Sequence, residues 1–212
     1  MTGLQKTVSL CLTFVLVVLG MLVYRVTHTP LLSLDELHER GVVVLPRAVE
    51  IAPFSLTAHN GKTFELADLR GSWSFLFFGF THCPDVCPTA MSVLAQAELR
   101  LHRESPALAS GFKGVLVTVD PERDDMETLG NYVGAFSATF TGVGGELSDL
   151  ARFARQLNVA FAKLPGPDES YQVEHSANIV IVNPMGHYHG FIRMPHRVDT
   201  LVLAYRSLAA SF

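Results

Sequence analysis

Ser74-Phe75-Leu76-Phe77-Phe78-Gly79-Phe80-Thr81-His82-Cys83-Pro84-Asp85-Val86-Cys87-Pro88 is the stretch on which the fold turns. Its first half, Ser74 to Phe80, is a short aromatic-rich apolar run without helical period, which predicts a strand buried on both faces. Beyond it Ala90, Val93, Leu94, Ala97 and Leu101 recur at helical spacing. The two cysteines therefore fall where a buried strand gives way to a helix. Working outward, Phe112 to Val119 reads as a second buried strand, and Asp125 to Phe136 and Leu147 to Leu157 read as helices. Asn178 to Val182 and His189 to Arg193 read as strands joined by the turn Asn183-Pro184-Met185-Gly186. The last helix carries Val198, Leu201, Val202, Tyr205 and Leu208 on one face. Upstream, Phe54 to Thr57 and Thr63 to Leu66 flank Asn60-Gly61, a strong hairpin signal. Strands alternating with helices imply a mainly parallel sheet, with the final hairpin adding an antiparallel edge. The order matches an α/β thioredoxin-like fold: a central mixed sheet with an N-terminal β-hairpin.

With 212 residues, the chain suits one domain plus an appendage. The formal net charge of -4, without a basic stripe, argues against a nucleic-acid partner. Thr7 to Tyr24 carries no charged residue, and as a helix it would approach the ~30 Å hydrocarbon core. No small-x-small cleavage pattern follows it, which favours an uncleaved anchor over a signal peptide. Lys6 precedes the span and Arg25 follows it, so the charge bias toward a cytoplasmic amino terminus is weak. The expected organisation is a cytoplasmic N-terminus over residues 1–6, one transmembrane helix over 7–24, a linker over 25–45 and the globular domain over 46–212. The linker holds a short helical turn around Leu34 to Arg40. The expected location is the inner (cytoplasmic) membrane, single pass, with the domain in the periplasm.

Of three cysteines, Cys11 lies in the apolar span and reads as a small hydrophobe. Cys83 and Cys87 form a close pair at the carboxyl end of a strand, the position at which open α/β sheets bind ligands. A helix amino terminus there favours thiolates. Four residues apart, the pair would place both sulfurs on one side of a helical turn. Two soft thiolates suit a soft cation such as Cu(I). A Cys83–Cys87 redox disulfide is the competing reading, although three intervening residues exceed the two of the usual redox motif. Spacing alone leaves metal and redox chemistry level. His175, in Val173-Glu174-His175-Ser176, tips the balance. In thioredoxin-like folds the loop before the next strand lies beside the cysteine helix, and thiol oxidoreductases carry a guiding proline in it. No proline occupies Glu174 to Val182, and a histidine there argues for ligation.

The segments Phe80 to Pro88, Val119-Asp120-Pro121-Glu122-Arg123-Asp124 and Val173 to Ser176 resemble the SCO/SenC/PrrC family of copper proteins. The resemblance covers Pro46 to the end. It implies one copper, Cu(I) with Cu(II) as a second candidate state, held by Cys83, Cys87 and His175. It also implies a metallochaperone for the dinuclear copper centre of cytochrome c oxidase. The implied partners are the copper-bearing oxidase subunit, other copper chaperones or thioredoxin-like reductants, and the membrane. Many members carry aspartate before the histidine, where this chain has Glu174.

Weaker candidates surround this set. Asp120 is a candidate for tuning the metal or contacting a partner, and Asp85 for capping the helix or orienting a sulfur. Asp124 or Asp125 is expected as a helix cap. His82 reads as a rim residue, Met91 as core, and His187, His189 and His196 as scattered surface histidines rather than a second metal patch. No catalytic residue is assigned. A membrane-anchored thiol-disulfide oxidoreductase is the alternative function. A peroxidase is disfavoured, because Thr81 stands only two residues before Cys83 and the Thr-x-x-Cys pattern of such enzymes fails.

Overall fold

The computed structural model describes residues 3–27, 31–165 and 171–212. Residues 1–2 of the expected cytoplasmic segment and 28–30 of the expected linker lie outside it. The chain divides into two units, one ending at Leu31 and one running from Leu32 to Phe212. The first unit is helix α1 (Gly3–Thr27). Within it Gln5–Val23 is long and apolar enough to cross a membrane.

The second unit begins with α2 (Leu34–Glu39) and β1 (Val42–Glu50), followed by β2 (Ser55–Ala58), β3 (Thr63–Glu65) and β4 (Trp73–Gly79). Next come α3 (Val86–Glu104), α4 (Pro106–Ala109), β5 (Phe112–Thr118), α5 (Met126–Gly134), β6 (Thr141–Gly144) and α6 (Leu147–Gln156). The chain ends with β7 (Phe161–Pro165), β8 (Tyr171–His175), β9 (Ile179–Val182), β10 (His187–Ile192) and α7 (Val198–Ser211). Eight strands form one mixed sheet in the order β1-β10-β9-β4-β5-β6-β2-β3, and β7 pairs with β8 in a separate two-stranded sheet. Every residue of β4 and β9 is buried, as their dominantly apolar sequences lead one to expect, with Ser74 the one polar side chain among them. Alternate side chains of β4 serve opposite faces. Phe75 meets Tyr205 of α7 with ring centroids 6.0 Å apart, while Phe78 meets Phe153 of α6 at 5.9 Å.

Several expectations need correction. The linker expected over 25–45 is largely structured from Leu32 onward. Ser33 caps α2 through a capping box, Leu37 is 1% exposed, and β1 pairs with β10. The final hairpin is therefore not an edge, because β1 covers it. The parallel core is also narrower than the alternation of strands and helices suggests. Only β4–β5 and β5–β6 pair in parallel. The hairpin at Asn60-Gly61 forms as β2–β3, with Gly61 at φ +79°. It joins the sheet through β6, a strand with weak sequence signals.

Candidate metal centre

Parallel strands β4 and β5 end side by side, tied by the Val119 amide donating to the Gly79 carbonyl at 2.9 Å. The chain leaving β4 turns through Thr81 to Asp85 before α3 begins at Val86. Cys87 thus lies in the first turn of the helix, fully buried, whereas Cys83 lies in the loop before it and is partly exposed. The two sulfurs do converge, but through this turn rather than through helical spacing. Gly79 makes the convergence possible, since a Cβ there would sit 2.8 Å from Cys87 Sγ.

His175 is the last residue of β8 rather than part of a loop. Its Nε2 stands 3.6 Å from Cys87 Sγ. Its Nδ1 stands 3.1 Å from the Ser176 carbonyl oxygen. A carbonyl only accepts, so Nδ1 carries the proton and Nε2 presents its lone pair to the sulfurs. Phe77 and Phe80 flank the ring edge-on, each with centroids 5.8 Å away. The donor atoms of Cys83, Cys87 and His175 all lie within 4.8 Å of one another. Cys83 and His175 border a cavity of about 570 Å³ that opens between the Cys83 loop and β8, with Cys87 buried behind them.

The electrostatics differ at the three donors. Burial acts to raise the Cys83 thiol, but the backbone of Asp85, Cys87 and Val86 and the Cys87 side chain hydrogen-bond to it and bring it below its ordinary value. Burial drives Cys87 far above its ordinary value, and interaction with Cys83 and the charge of Asp124 add to this. Burial also lowers His175, against the opposing hydrogen bonds to the backbone of Ser176 and Phe78, which keeps the imidazole neutral near pH 7. The centre thus offers a thiolate-prone sulfur, a sulfur that keeps its proton, and a neutral imidazole. Soft donors of this kind suit a soft monovalent metal, and three of them leave a coordination side open.

Of the two residues expected as the helix cap, Asp125 takes that role and Asp124 takes another. Asp125 caps α5 by accepting from the Thr128 amide at 2.7 Å. Asp124 instead turns inward, 1% exposed, and accepts from the Thr81 amide at 3.1 Å. It also accepts from the hydroxyls of Thr81 at 2.6 Å and Thr118 at 2.7 Å. It therefore pins the start of the cysteine loop to the end of β5. Asp120 is buried as well, in a cluster with Arg123, Lys163 and Tyr171 rather than at a partner-facing surface. The Asp85 side chain makes no capping bond and is exposed, so its contribution to Cys83 comes from its backbone. Glu174 is exposed at the mouth of the cavity. His82 is exposed, with Nδ1 3.0 Å from Thr81 Oγ1, and Met91 is core. His189 packs edge-on against Trp73, and His196 hydrogen-bonds to the Ala177 carbonyl. Among the described residues Cys83, Cys87 and His175 are the one group of three donors placed to share an ion.

Residues 45–210 match the family model described as SCO1/SenC. The chain belongs to the SCO1/SenC family. It is 36% identical over 176 residues to a Stutzerimonas stutzeri protein named for copper binding, spanning 81% of this chain and 84% of that one. It is also 36% identical over 175 residues to the mitochondrial protein SCO2 homolog of Mus musculus, spanning 82% and 68%. Among solved structures, Arabidopsis thaliana ScoI with copper bound superposes with a TM-score of 0.69 at 32% identity, covering 75% of this chain and 98% of that one. Those structures share the thioredoxin-like fold described above.

Proposed function

We propose that this SCO1/SenC chain binds one Cu(I) through Cys83 Sγ, Cys87 Sγ and His175 Nε2 and passes it to the dinuclear copper centre of cytochrome c oxidase. The observation that carries this reading is the histidine. Its ring is oriented by the Ser176 carbonyl, and its free nitrogen stands 3.6 Å from Cys87 Sγ. A disulfide exchanger needs only the two sulfurs, whereas a metal site needs a third donor, and His175 supplies it. Copper-bound family structures support the metal. Cys87 gives up its proton to solvent as the ion binds, and two thiolates with Cu(I) then sum to one negative charge, which the first turn of α3 offsets in part. The open side of a three-coordinate ion admits a client donor, so the ion moves by stepwise ligand exchange without being released to water. In this reading α1 anchors the chain in the inner membrane with the domain in the periplasm, facing the oxidase subunit. Asp85, Asp120 and Glu174 serve the site without ligating, Asp120 from its cluster with Arg123, Lys163 and Tyr171. X-ray absorption on the reduced, copper-loaded protein should show two sulfurs and one nitrogen. His175→Ala should weaken Cu(I) binding by about tenfold or more, and unchanged affinity would reject the three-ligand site.

One observation favours a second activity at the same site. Cys83 is partly exposed and thiolate-prone, and Cys87 is buried and protonated, the asymmetry of an attacking and a resolving thiol. Cys83 would attack a client disulfide to form a mixed disulfide. Cys87, losing its proton to solvent, would then displace the client's thiolate and leave a Cys83–Cys87 disulfide. A His175→Ala chain that still reduces client cysteines but no longer loads copper would separate the two activities. Loss of both together would tie them to the metal.

A further inference from the structure

His175 reaches the cysteines from the end of β8, in a two-stranded sheet that shares no strand pairing with the main sheet among the described residues. An isolated pair of strands is marginally stable in water, so its seat against the body must come from side chains. Val173 is buried beneath it. His175 itself packs on Phe77 and Phe80 and hydrogen-bonds to the Phe78 backbone, and a further anchor is polar. Tyr171 of β8 donates its phenolic hydrogen to Asp120 Oδ1 at 2.8 Å. Lys163 of β7 places Nζ 3.7 Å from the same oxygen and 2.7 Å from Glu122 Oε1. Arg123 pairs with Asp120 Oδ2. Its guanidinium carbon lies 4.2 Å from the Tyr171 ring centroid and 5.5 Å from that of Phe80. The Asp120 side chain has no exposed surface, and its own amide is held by Thr118 Oγ1 at 3.0 Å.

A buried carboxylate is costly unless it is paired. Two of the three side-chain partners of Asp120 come from the hairpin, one from each strand, and both are lost when the hairpin swings away. The carboxylate therefore favours the arrangement in which the hairpin is seated. The seated hairpin is also the one that brings His175 to the sulfurs.

We propose that Asp120 is a positioning residue for copper. It clamps β7 and β8 to the end of β5 and so keeps His175 Nε2 in ligating reach of Cys83 and Cys87. It acts through the hairpin and not on the metal. This role rests on the three-ligand reading above. The apparent affinity of a site scales with the fraction of molecules in the competent arrangement, so loosening the clamp weakens binding without removing a donor.

The test is a double-mutant cycle on the reduced full-length chain in detergent, with Cu(I) affinity read by competition against a chromogenic chelator. Asp120→Asn should weaken Cu(I) binding by about tenfold. Added to His175→Ala, it should change affinity by less than about twofold, because the donor it positions is gone. X-ray absorption on Asp120→Asn should keep both sulfurs and show a reduced nitrogen contribution. Tyr171→Phe removes one hydroxyl and leaves the ring beneath Arg123. It should repeat the pattern at about threefold, and it replaces Asp120→Asn if that variant fails to fold. Equal losses with and without His175, or no loss with His175 present, would overturn the proposal. If His175→Ala alone leaves affinity unchanged, the three-ligand reading falls and the role of Asp120 falls with it. If His175→Ala weakens binding while the Asp120 effect is additive, the positioning role alone is overturned.

Discussion

A Cβ on Gly79 would lie 2.8 Å from Cys87 Sγ and 2.9 Å from a carbon of the Phe77 ring, with no room for either to yield. Gly79→Ala should therefore displace the sulfur, costing about 1–3 kcal/mol of stability and weakening Cu(I) binding with it. A variant with the original melting temperature and affinity would contradict this packing. The cysteines make a second prediction. Thiol reactivity follows the thiolate, whose fraction rises as pH rises through the group's pKa. Cys83 is lowered and partly exposed, while Cys87 is raised and buried. Iodoacetamide should therefore label Cys83 first, with a midpoint below that of the same cysteine in the denatured chain. A midpoint at or above the denatured value would show that the loop amides do not stabilise the thiolate. That Cys83, Cys87 and His175 come together, with donor atoms within 4.8 Å of one another, was legible in the sequence because their residue types and places in the fold point to one another. Asp124 was not, because the loop residue it holds, Thr81, lies 43 positions away. A carboxylate near a helix start reads as a cap until that distant partner is seen.

At the scale of elements, the strands that escaped sequence reading share physical reasons. In β1 the proline at position 46 lacks an amide hydrogen, and the pairing with β10 changes register between Val44 and Val49. The segment thus loses the regular alternation that marks a strand. In β6 glycine fills two of four positions because α5 packs on them. A Cβ on Gly142 would meet that of Leu129 at 3.1 Å, and one on Gly144 would meet Met126 at 2.6 Å. In hairpin β7–β8 only Val173 is buried, and the other positions are partly buried or exposed, so no strong apolar face marks it. The buried runs β4, β5 and β9 were legible because strands covered on both faces are dominated by apolar side chains. The position of β1 carries a prediction. A chain starting at Pro46 removes Leu37 and Val42, both at most 1% exposed, together with the first three β1–β10 pairs. At about 1.5–3 kcal/mol per buried side chain, it should melt about 10 °C below one starting at Leu32. Circular dichroism on the two fragments decides this, and equal melting temperatures would return residues 32–45 to the status of a linker.

At the scale of the whole molecule, the division at Leu31–Leu32 separates two kinds of physical problem. Helix α1 leaves its apolar side chains exposed along Gln5–Val23, which water does not favour and lipid does. The unit from Leu32 to Phe212 closes its own core and contains all three donors. In the proposed reading, holding the metal and holding the membrane are therefore separable. Residues 32–212 expressed alone should be soluble and should bind Cu(I) within about twofold of the full chain, since no donor or clamp residue is lost. The full chain should stay with membranes through alkaline extraction, while the fragment should not sediment with them. The fragment should also transfer copper to an isolated oxidase copper domain in solution, where diffusion supplies the encounter. In cells it should support oxidase assembly less well, because an anchor confines donor and client to one surface and raises their effective concentration. A fragment that binds copper poorly would place part of the site outside residues 32–212. One that assembles oxidase as well as the full chain would deny the anchor any part in delivery.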